Sequence, residues 1–443
     1  MSEKNSGPEN QGFTTRAIHA GSEWNRTSAL TPPIFQSSTF TLKDLEEGVT
    51  MGQEVAPAEF YTRWGNPTTK QFEAAMAALE GSEAALALAS GMGAISALLL
   101  SLLRSGDHLL VGRSIYSGVH ELANGILPRF GVESSPVDPS DLDALAAAIR
   151  PETRALIVES PTNPTLEICD LKAVAAVCRE RQVISVIDNT FATPVNQNPI
   201  SLGFDAVVHA ATKAIGGHSD VTSGVICSSS EIIDGCWGLL KILGASLSPF
   251  EAWLLIRGLK TLELRAQRQN ESALQLARFL EARADVERVY YPGLESHTGH
   301  ELAASQMSGF GGMLSFELIG GTERGMSFAK ELGIIQLAVS LGGAESILQH
   351  PASMSHGSLG AEELEKAGIA GGLFRLSVGL ENADDLQADL EQALDSCPAG
   401  NQTRPSQVAS LKYSAVRPMP SSSGTCGAQS SRRLSRVLLR IRL

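Results

Sequence analysis

One lysine in the sequence has surroundings that suit an amine nucleophile. Lys213 lies in the stretch HAATKAIGGHSD, among small residues and directly after Thr212. An amine attacks only when it is deprotonated, and burial among small apolar neighbours lowers the pKa of a lysine. The pattern therefore indicates a lysine that can form a Schiff base. The alternative is a solvated surface lysine, which is the commoner role of this residue type.

A Schiff base with pyridoxal phosphate needs three further groups, and the sequence offers a candidate for each. Asp188 follows the apolar run ISVI, where a carboxylate could keep the pyridine nitrogen protonated. The stretch SGMGA opens a helical pattern, so the N–H groups of Gly91 and Met92 could meet a phosphate at the positive end of a helix. Thr212 could add a hydroxyl, and Tyr116 is a candidate ring for stacking on the cofactor.

Each of these signals also has a purely structural interpretation. An aspartate at the end of a strand is more often a cap or turn residue. The stretch SGMGA by itself is equally typical of a helix start at which small residues allow close packing. The candidates therefore depend on the elements that position them and on their order along the chain.

Short apolar runs alternate with helical patterns in the body of the chain. The runs predicted as buried strands are HLLVG from His108, RALIVES from Arg154, ISVIDNT from Ile184 and DAVVHA from Asp205. Ala- and Leu-rich helices separate them, and this alternation predicts a parallel sheet covered by helices, the α/β class. Polar clusters (ESPTNP, DNTFATP and HAATK) follow three of these strands, at the carboxyl ends where ligands collect in such sheets.

The pattern changes after Pro249. One long helix is predicted over residues 251–284, followed by two strand-like runs, GGMLSFELIG and FRLSVGLE, with helices between them and at the end. These features predict a smaller α+β domain, which the long helix joins to the sheet domain.

Composition and charge restrict the partners. The 443 residues carry a net charge of -13, which argues against a nucleic-acid partner because such surfaces need clustered Lys and Arg. Six cysteines without a C-x-x-C pair indicate neither a metal site nor disulfides, and reduced thiols suit the cytoplasm. The polar amino terminus lacks the apolar stretch of a signal peptide, and no apolar run reaches the ~18 residues of a membrane span. The expected partners are a small molecule and other copies of the chain.

The last segment of the chain differs from the rest. Residues 398–443 contain eight basic residues and no acidic one, and they are rich in Ser, Pro and Arg. Such a composition cannot bury enough apolar surface to fold alone, which predicts a disordered appendage. A basic arm for anionic surfaces is the alternative interpretation.

The order of the motifs along the chain is far more specific than any one of them. From about Thr14 to about Leu394 the chain resembles the cystathionine γ-synthase and methionine γ-lyase family, the Cys/Met-metabolism branch of the fold-type I pyridoxal phosphate enzymes. The motifs that carry the resemblance are, in family order, YTRWGNPT, SGMGA, ESPTNP, DNTFATP, TK...GHSD, SLGGAES, HPASMSH and RLSVGLE. The resemblance implies an aspartate aminotransferase-like fold with a large parallel-sheet domain and a smaller C-terminal α+β domain.

The resemblance also implies how the chain is divided and assembled. Residues 1–60 would form an N-terminal arm that contacts the neighbouring subunit, residues 61–258 the PLP-binding domain and residues 259–397 the C-terminal domain, with 398–443 as the basic tail. A dimer would be the minimal active unit, and a homotetramer built as a dimer of dimers would be the assembly.

The roles of the site residues follow from the same resemblance. Lys213 would carry pyridoxal 5'-phosphate and move protons, and Tyr116 would stack on its ring and help to protonate the leaving group. Arg375 would hold the substrate carboxylate with Ser340 nearby, and Asn163 would contact the cofactor's phenolic oxygen and the substrate. The remaining implied cofactor contacts are Asp188 at the pyridine nitrogen, Gly91, Met92 and Thr212 at the phosphate, and Tyr61 and Arg63 reaching the phosphate of a neighbouring subunit.

Four positions depart from the family's pattern. Ala210 stands where many members carry a serine that binds the phosphate, and Ala214 replaces the aromatic residue that usually follows the lysine. Gly118 stands where methionine γ-lyases typically carry a cysteine, and Val119 where a threonine is common. These departures leave the fold and cofactor intact and put the substrate in question.

The resemblance implies a carbon–sulfur lyase that performs α,γ-elimination on a sulfur amino acid of the methionine or cystathionine type. The alternative is γ-replacement on an activated homoserine, as in a cystathionine γ-synthase or an O-acylhomoserine sulfhydrylase. A third hypothesis is a non-catalytic binding protein that has lost its cofactor; the intact set of Lys213, Asp188, Tyr116 and Arg375 argues against it.

Overall fold

The computed structural model describes residues 11–355, 364 and 368–398. The predicted basic tail, 398–443, lies outside these residues apart from Pro398. The strands are β1 (Ala84–Leu88), β2 (His108–Gly112), β3 (Glu133–Val137), β4 (Thr153–Glu159), β5 (Ile184–Asp188), β6 (Ala206–His209), β7 (Gly224–Ser228), β8 (Val286–Tyr290), β9 (Met313–Leu318), β10 (Gln336–Leu337), β11 (Ile347–Gln349) and β12 (Leu373–Ser377).

Helices connect and cover these strands. The α-helices are α1 (Phe13–His19), α2 (Leu45–Gln53), α3 (Pro67–Glu80), α4 (Gly91–Leu102), α5 (Ser117–Glu121), α6 (Leu142–Ala148), α7 (Leu171–Glu180), α8 (Thr193–Asn196), α9 (Pro199–Leu202), α10 (Ser230–Leu243), α11 (Pro249–Leu259), α12 (Leu262–Glu281), α13 (His300–Gln306), α14 (Gly321–Glu331) and α15 (Ala383–Ser396). Short 3-10 turns at Ser22–Trp24 and Leu127–Phe130 and a π turn at Leu122–Ile126 complete the described helical segments.

The larger sheet has seven strands in the order β1-β7-β6-β5-β4-β2-β3. Neighbouring strands are parallel except at β7, which runs antiparallel to both β1 and β6. Alternate residues of the central strands point to opposite faces, so Leu110 and Leu156 join one buried apolar cluster and Leu109 and Ile157 the other. Helices cover both faces, which explains why the central strands read as continuous apolar runs.

The smaller sheet has five strands in the order β10-β11-β12-β9-β8. Its core includes an aromatic cluster in which Phe316 of β9 stacks on Phe374 of β12, with Phe328 of α14 edge-on to both. The sequence predicted β9 and β12 and missed β8, β10 and β11. β8 and β10 are edge strands whose exposed residues weaken the apolar signal, and β11 has only three residues.

The predicted long helix over residues 251–284 is wrong, because the structure divides it into α11 and α12 with a break at Lys260 and Thr261. The break lies where α11 meets the turn that follows Lys213. A Cβ on Gly258 would lie 2.6 Å from the carbonyl oxygens of both Ile215 and Gly216, so only glycine allows this approach. The carbonyl of Gly258 accepts a hydrogen bond from Arg265 of α12 (2.7 Å), which fixes the bend.

The two sheets lie within the predicted segments 61–258 and 259–397, respectively. The exact boundaries of the arm and of the two domains stay a prediction.

Candidate active site

Lys213 lies in the turn after β6, at the carboxyl edge of the larger sheet. Its backbone N–H donates to Ala210 O (3.0 Å), and its carbonyl accepts from the N–H of Gly217 (2.8 Å). Its Nζ donates to Ser340 Oγ at 2.7 Å. Burial lowers the pKa of the Lys213 amine, the positive charge of Arg375 lowers it further, and Asp188 opposes both. The lysine is therefore partly enclosed and biased toward the neutral, nucleophilic form, as the sequence predicted.

Small residues let three chain segments approach one another around this turn. A Cβ on Gly91, the first residue of α4, would lie only 2.8 Å from the Cβ of Ala210. A Cβ on Gly342 would lie 2.5 Å from the backbone nitrogen of Ala214. Glycines therefore stand opposite the two alanines that depart from the family pattern, because neither Gly91 nor Gly342 has space for a side chain of its own.

Arg375 joins the two sides of the site. It is 4% exposed, and its guanidinium donates to Asn163 Oδ1 (2.9 Å) and to the carbonyl of Ser340 (2.8 Å). Its Nε is buried and has no hydrogen-bond partner in the described part of the chain. Burial lowers the pKa of Arg375 to about 10. A buried cation with a free donor is suited to bind an incoming carboxylate.

Ser340 connects the amine to the guanidinium through its side chain and its backbone. Its hydroxyl contacts Lys213 and its carbonyl contacts Arg375. Its φ of 88° lies in the left-handed region, which is unfavourable for a residue with a side chain and is common at functional sites. The structure thus brings together Lys213, Ser340, Arg375 and Asn163, which the resemblance assigned to one site.

Asp188 ends β5 close to the lysine. Its Oδ1 accepts the backbone N–H of Thr190 (3.0 Å) and is also hydrogen-bonded by the Thr190 hydroxyl. Burial raises the pKa of the Asp188 carboxyl, whereas the Thr190 hydrogen bonds, His209 and Lys213 act in the opposite direction. The same Thr190 hydroxyl accepts the N–H of Ala210 (2.8 Å), so one threonine holds both the aspartate and the start of the lysine turn.

The start of α4 has the features expected of a phosphate site. Ser90 is the N-cap, and its hydroxyl accepts the N–H of Gly93 (3.0 Å). The first N–H groups of a helix, here those of Gly91 and Met92, have no partner within the helix. They form its positive end, which attracts anions such as phosphate. Thr212 is the third predicted phosphate contact on this side. Its hydroxyl donates to the carbonyl of Ser223 (3.1 Å) and accepts the N–H of Ser223 (2.9 Å).

Tyr116 lies at the mouth of the site, with its side chain 43% exposed. Its backbone N–H donates to Glu159 Oε2 (3.0 Å). A Cβ on Gly118 would lie 2.7 Å from the Tyr116 ring and 3.0 Å from the sulfur of Met92, so the departure at Gly118 lets these two side chains pack together.

Tyr61 and Arg63 are the predicted site residues that the structure does not bring to Lys213. Tyr61 is 40% exposed, and the Arg63 guanidinium lies 5.4 Å from the centre of its ring. Arg63 also donates to the carbonyl of Lys241. In the described residues neither side chain contacts the lysine turn.

Sequence reasoning missed three residues that shape the site. Glu159 and Thr190 lie inside two of the motifs that indicate the site, ESPTNP and DNTFATP, so their place in the sequence could have identified them as site residues. Arg265 carried none, because an arginine on a long polar helix is expected to be solvated. It is 5% exposed and donates to the carbonyls of Ala214, Ile215 (3.4 Å) and Gly258, and thereby holds the turn after Lys213.

The described residues fit the cofactor that the sequence predicted. A half-buried lysine without a carboxylate partner, a strand-end aspartate, a helix start with free N–H groups and an unpartnered guanidinium donor lie around one edge of the sheet. Among the described residues, no cluster of His, Cys, Asp or Glu could hold a metal ion, and no helix is long and apolar enough to cross a membrane.

Comparison with known proteins gives matches over nearly the whole chain. The model of the family described as Cys/Met metabolism PLP-dependent enzyme matches residues 14–395. An L-methionine gamma-lyase of Fusobacterium nucleatum is 47% identical over 390 residues, covering 87% of this chain and 98% of the relative. A cystathionine gamma-synthase of Mycobacterium bovis is 44% identical over 397 residues, covering 89% of this chain and 100% of the relative.

A solved structure shows the same architecture. The crystal structure of cystathionine gamma-lyase from Lactobacillus plantarum complexed with L-serine has a TM-score of 0.82 at 41% identity, covering 87% of this chain and 99% of that chain. The predicted fold-type I architecture and the pyridoxal phosphate cofactor are thereby confirmed. The chain belongs to the family of Cys/Met metabolism PLP-dependent enzymes.

Proposed function

We propose that the chain catalyses α,γ-elimination on a sulfur amino acid of the methionine or cystathionine type. The reaction consumes one water and gives a 2-oxo acid, ammonia and a thiol. The observation that carries the proposal is the contact chain Lys213–Ser340–Arg375, which places an amine beside a buried guanidinium with a free donor. The 47% identity to an L-methionine gamma-lyase supports elimination as the outcome.

Each residue of the site has a task in this reaction. When bound, pyridoxal phosphate supplies the electron sink that stabilises negative charge next to the substrate nitrogen. Arg375 binds the substrate carboxylate through its fork, and Asn163 and the Ser340 carbonyl orient that fork. Lys213 would take the Cα proton and then serve the Cβ position, because burial favours its neutral form. Tyr116, at the open mouth, donates a proton to the departing sulfur.

Substrate and thiol dependence separate elimination from its main alternative. The purified protein is incubated with methionine, cystathionine or an O-acylhomoserine, each with and without an added thiol. Elimination predicts release of a 2-oxo acid in the absence of added thiol. Product formation that requires the thiol would contradict elimination and establish replacement.

The replacement alternative, a cystathionine γ-synthase or O-acylhomoserine sulfhydrylase activity, is favoured by one feature. Gly118 leaves Tyr116 and Met92 packed where methionine γ-lyases typically carry a cysteine near the substrate. The 44% identity to a cystathionine gamma-synthase supports the same alternative. Both reactions need the same residues up to the loss of the γ-substituent, so the residues named above serve either outcome.

The remote alternative, a non-catalytic binding protein, is tested by colour. A functional site predicts a yellow protein whose visible band disappears with borohydride. Lys213→Ala should lack the borohydride-stable covalent link while its overall circular dichroism stays that of the wild type. A colourless protein after supplementation with pyridoxal phosphate would contradict the proposed site.

We further propose a homotetramer, built as a dimer of dimers, in the cytoplasm. The exposed positions of Tyr61 and Arg63, and of Leu30 and Leu45 in the predicted N-terminal arm, support coverage by a neighbouring subunit. The five cysteines within the described residues are free, and four of them are buried, which supports a reducing compartment. Analytical ultracentrifugation tests the assembly, and fractionation of cells tests the location; a monomer or a secreted protein would contradict the proposal.

A further inference from the structure

Glu159 is a buried acid at the site, and the proposed reaction assigns it no role. It is the last residue of β4 and is 4% exposed. In the parallel register of β4 and β5 its Cα partner is Asp188, the last residue of β5. Adjacent strands lie about 4.8 Å apart, so two carboxyl-bearing residues end side by side at the carboxyl edge of the sheet.

The contacts of Glu159 are with backbone amides. Its Oε2 accepts the N–H of Tyr116 at 3.0 Å, and the N–H of Asn163 also donates to its carboxyl. One side chain therefore holds the chain segments that carry two predicted site residues. Both amides need an acceptor oxygen, and neither contact needs that oxygen to be charged.

The charged groups that face Glu159 come from several chain segments. Asp188 lies beside it on β5, and Arg375 faces it from β12. Arg113, Asp138 and Glu167 line a small cleft together with Glu159.

The two arginines among these groups are engaged elsewhere. Arg113 pairs with Asp138 (2.8 Å), and Arg375 donates to Asn163 and to Ser340. In the described part of the chain no basic side chain forms an ion pair with Glu159.

Burial and the neighbouring carboxylate act on Glu159 in the same direction. Burial raises the pKa of the Glu159 carboxyl well above its usual range, and the charge of Asp188 raises this pKa further. The hydrogen bonds from the two amides and the charge of Arg375 lower it, but they do not outweigh burial. Two carboxylates this close in a dry site cannot both be ionised easily. Asp188 is the carboxyl that is ionised more easily, because Thr190 donates both an N–H and an O–H to it and because Lys213 and His209 lie nearby.

We propose that Glu159 is a positioning residue that works as an uncharged carboxylic acid: it holds the amides of Tyr116 and Asn163 and leaves the negative charge at this edge on Asp188. The inference rests on the proposed function and on the role that the resemblance implies for Asp188, at the pyridine nitrogen of the cofactor. A glutamine can replace such a group, because it is neutral and has the same acceptor oxygen. An alanine cannot, because it leaves the two amides without an acceptor.

The test uses the protein loaded with pyridoxal phosphate and reads its visible absorption band as a function of pH. The variants are Glu159→Gln and Glu159→Ala, with Asp188→Asn as the variant that removes a true buried charge and Glu167→Gln as an exposed control. We expect the midpoint of the titration to shift to lower pH in Asp188→Asn and to stay at the wild-type value in Glu159→Gln and Glu167→Gln. An infrared carbonyl band of a protonated carboxylic acid should be present in the wild type and absent from Glu159→Gln.

Cofactor affinity provides the second measurement. Glu159→Ala should weaken pyridoxal phosphate binding by about tenfold, because leaving a buried N–H without an acceptor corresponds to roughly a fivefold to 150-fold change in an equilibrium constant. Glu159→Gln should bind within about twofold of the wild type, since the acceptor for both amides is retained. A Glu159→Ala protein that fails to fold leaves the titration and the infrared band of Glu159→Gln to decide.

Two results would overturn the inference. The first is a downward shift of the midpoint in Glu159→Gln comparable to that in Asp188→Asn, together with no infrared band that depends on Glu159; this would show that Glu159 is ionised. The second is wild-type cofactor affinity in a folded Glu159→Ala. A wild-type protein without any visible band that depends on Lys213 would instead contradict the proposed function.

Discussion

At the scale of single residues, Arg375 combines burial, charge and an unused donor. Truncating one partner of a buried charged contact costs about 2–5 kcal/mol, so Arg375→Ala should lower kcat/KM by about 30-fold to several thousand-fold. Arg375→Lys should recover only part of this, because an ammonium lacks the planar fork. Steady-state kinetics with separate kcat and KM values measure the effect.

The control for this change is Arg150→Ala, which removes an exposed arginine that pairs with Glu133. Surface ion pairs contribute about 0–1 kcal/mol, so its kinetics should match the wild type. Equal losses in Arg150→Ala and Arg375→Ala would mean that the carboxylate is bound elsewhere.

Ala210 allows a gain of function to be tested at the same scale. Ala210→Ser adds a hydroxyl beside Gly91 at the start of α4, where the cofactor phosphate is expected. One added hydrogen bond to a charged group should strengthen pyridoxal phosphate binding by about 1.5–3 kcal/mol, or roughly tenfold to 150-fold. Equilibrium titration of the apoenzyme measures the affinity, and Ala210→Gly, which adds no hydroxyl, should show no gain. Unchanged affinity in Ala210→Ser would place the phosphate away from Ala210.

At the scale of elements, the contact between α4 and the end of β6 depends on the absence of side chains. In Gly91→Ala the new Cβ would lie 2.8 Å from the Cβ of Ala210, and one of the two elements would have to move. Overpacking of this kind costs typically about 1–3 kcal/mol. We expect a lower free energy of unfolding and weaker cofactor binding, measured by urea denaturation and by titration.

A second change tests the cause of this loss. The double variant Gly91→Ala/Ala210→Gly removes the methyl group that the new Cβ meets, and it should recover most of the lost stability and affinity. A double variant as weak as Gly91→Ala would show that the methyl group of Ala210 is not responsible, since the contact with the Ala210 Cα (3.1 Å) remains in it.

Asp389 lies in α15, the last helix of the described residues, and connects it by hydrogen bonds to the segment that leads into β10. Its carboxylate accepts the N–H groups of Gly333 (2.7 Å), Ile334 (2.9 Å) and Ile335 (2.9 Å). Burial alone would raise the pKa of this carboxyl, but the three amides and Gln392 outweigh burial and lower it. Hydrogen bonds to a charged group contribute about 1.5–3 kcal/mol, so Asp389→Ala should lose roughly that amount or more of the free energy of unfolding.

The pH dependence of this contribution has a defined sign. Because the folded-state pKa of Asp389 is lowered, its stabilisation is fully present above the unfolded value of about 3.9 and is lost as the pH falls through the lower folded value. The stability difference between the wild type and Asp389→Asn should therefore be constant near neutrality and shrink in acid. The exposed control Asp395→Asn should show a smaller difference at every pH, and a difference for Asp389 that grows on acidification would contradict the assignment.

Sequence reasoning predicted β2, β4, β5 and β6, whose burial on both faces makes them continuously apolar, and missed β3 and the fully buried β7. It missed β1, whose residues AALAL have helical propensity and become a strand only by pairing with β7. Within the site, the local signals of Lys213 and Asp188 were readable from small neighbours and a strand end. The contact of Lys213 with Ser340 joins residues 127 positions apart and depends on a left-handed backbone, so no local pattern could predict it.

At the scale of the whole molecule, one chain contains the lysine turn without Tyr61 and Arg63 beside it. Both side chains are exposed. The Arg63 guanidinium donates to the carbonyl of Lys241 and also contacts the ring of Tyr61. If the proposed dimer exists, each site takes Lys213 from one chain and Arg63 from the other. Arg63→Ala alone should therefore weaken cofactor binding although the lysine turn of the same chain is unchanged.

Subunit complementation tests this arrangement directly. Lys213→Ala and Arg63→Ala should each be nearly inactive alone, and they are mixed under conditions that allow subunits to exchange. A hybrid dimer has one site with both changes and one site with neither, so random mixing should restore about one quarter of the wild-type activity. If Arg63 served the Lys213 of its own chain, every site in the hybrid would carry one change and the mixture would stay inactive. Restored activity that depends on the time allowed for exchange therefore distinguishes a shared site from a site within one chain.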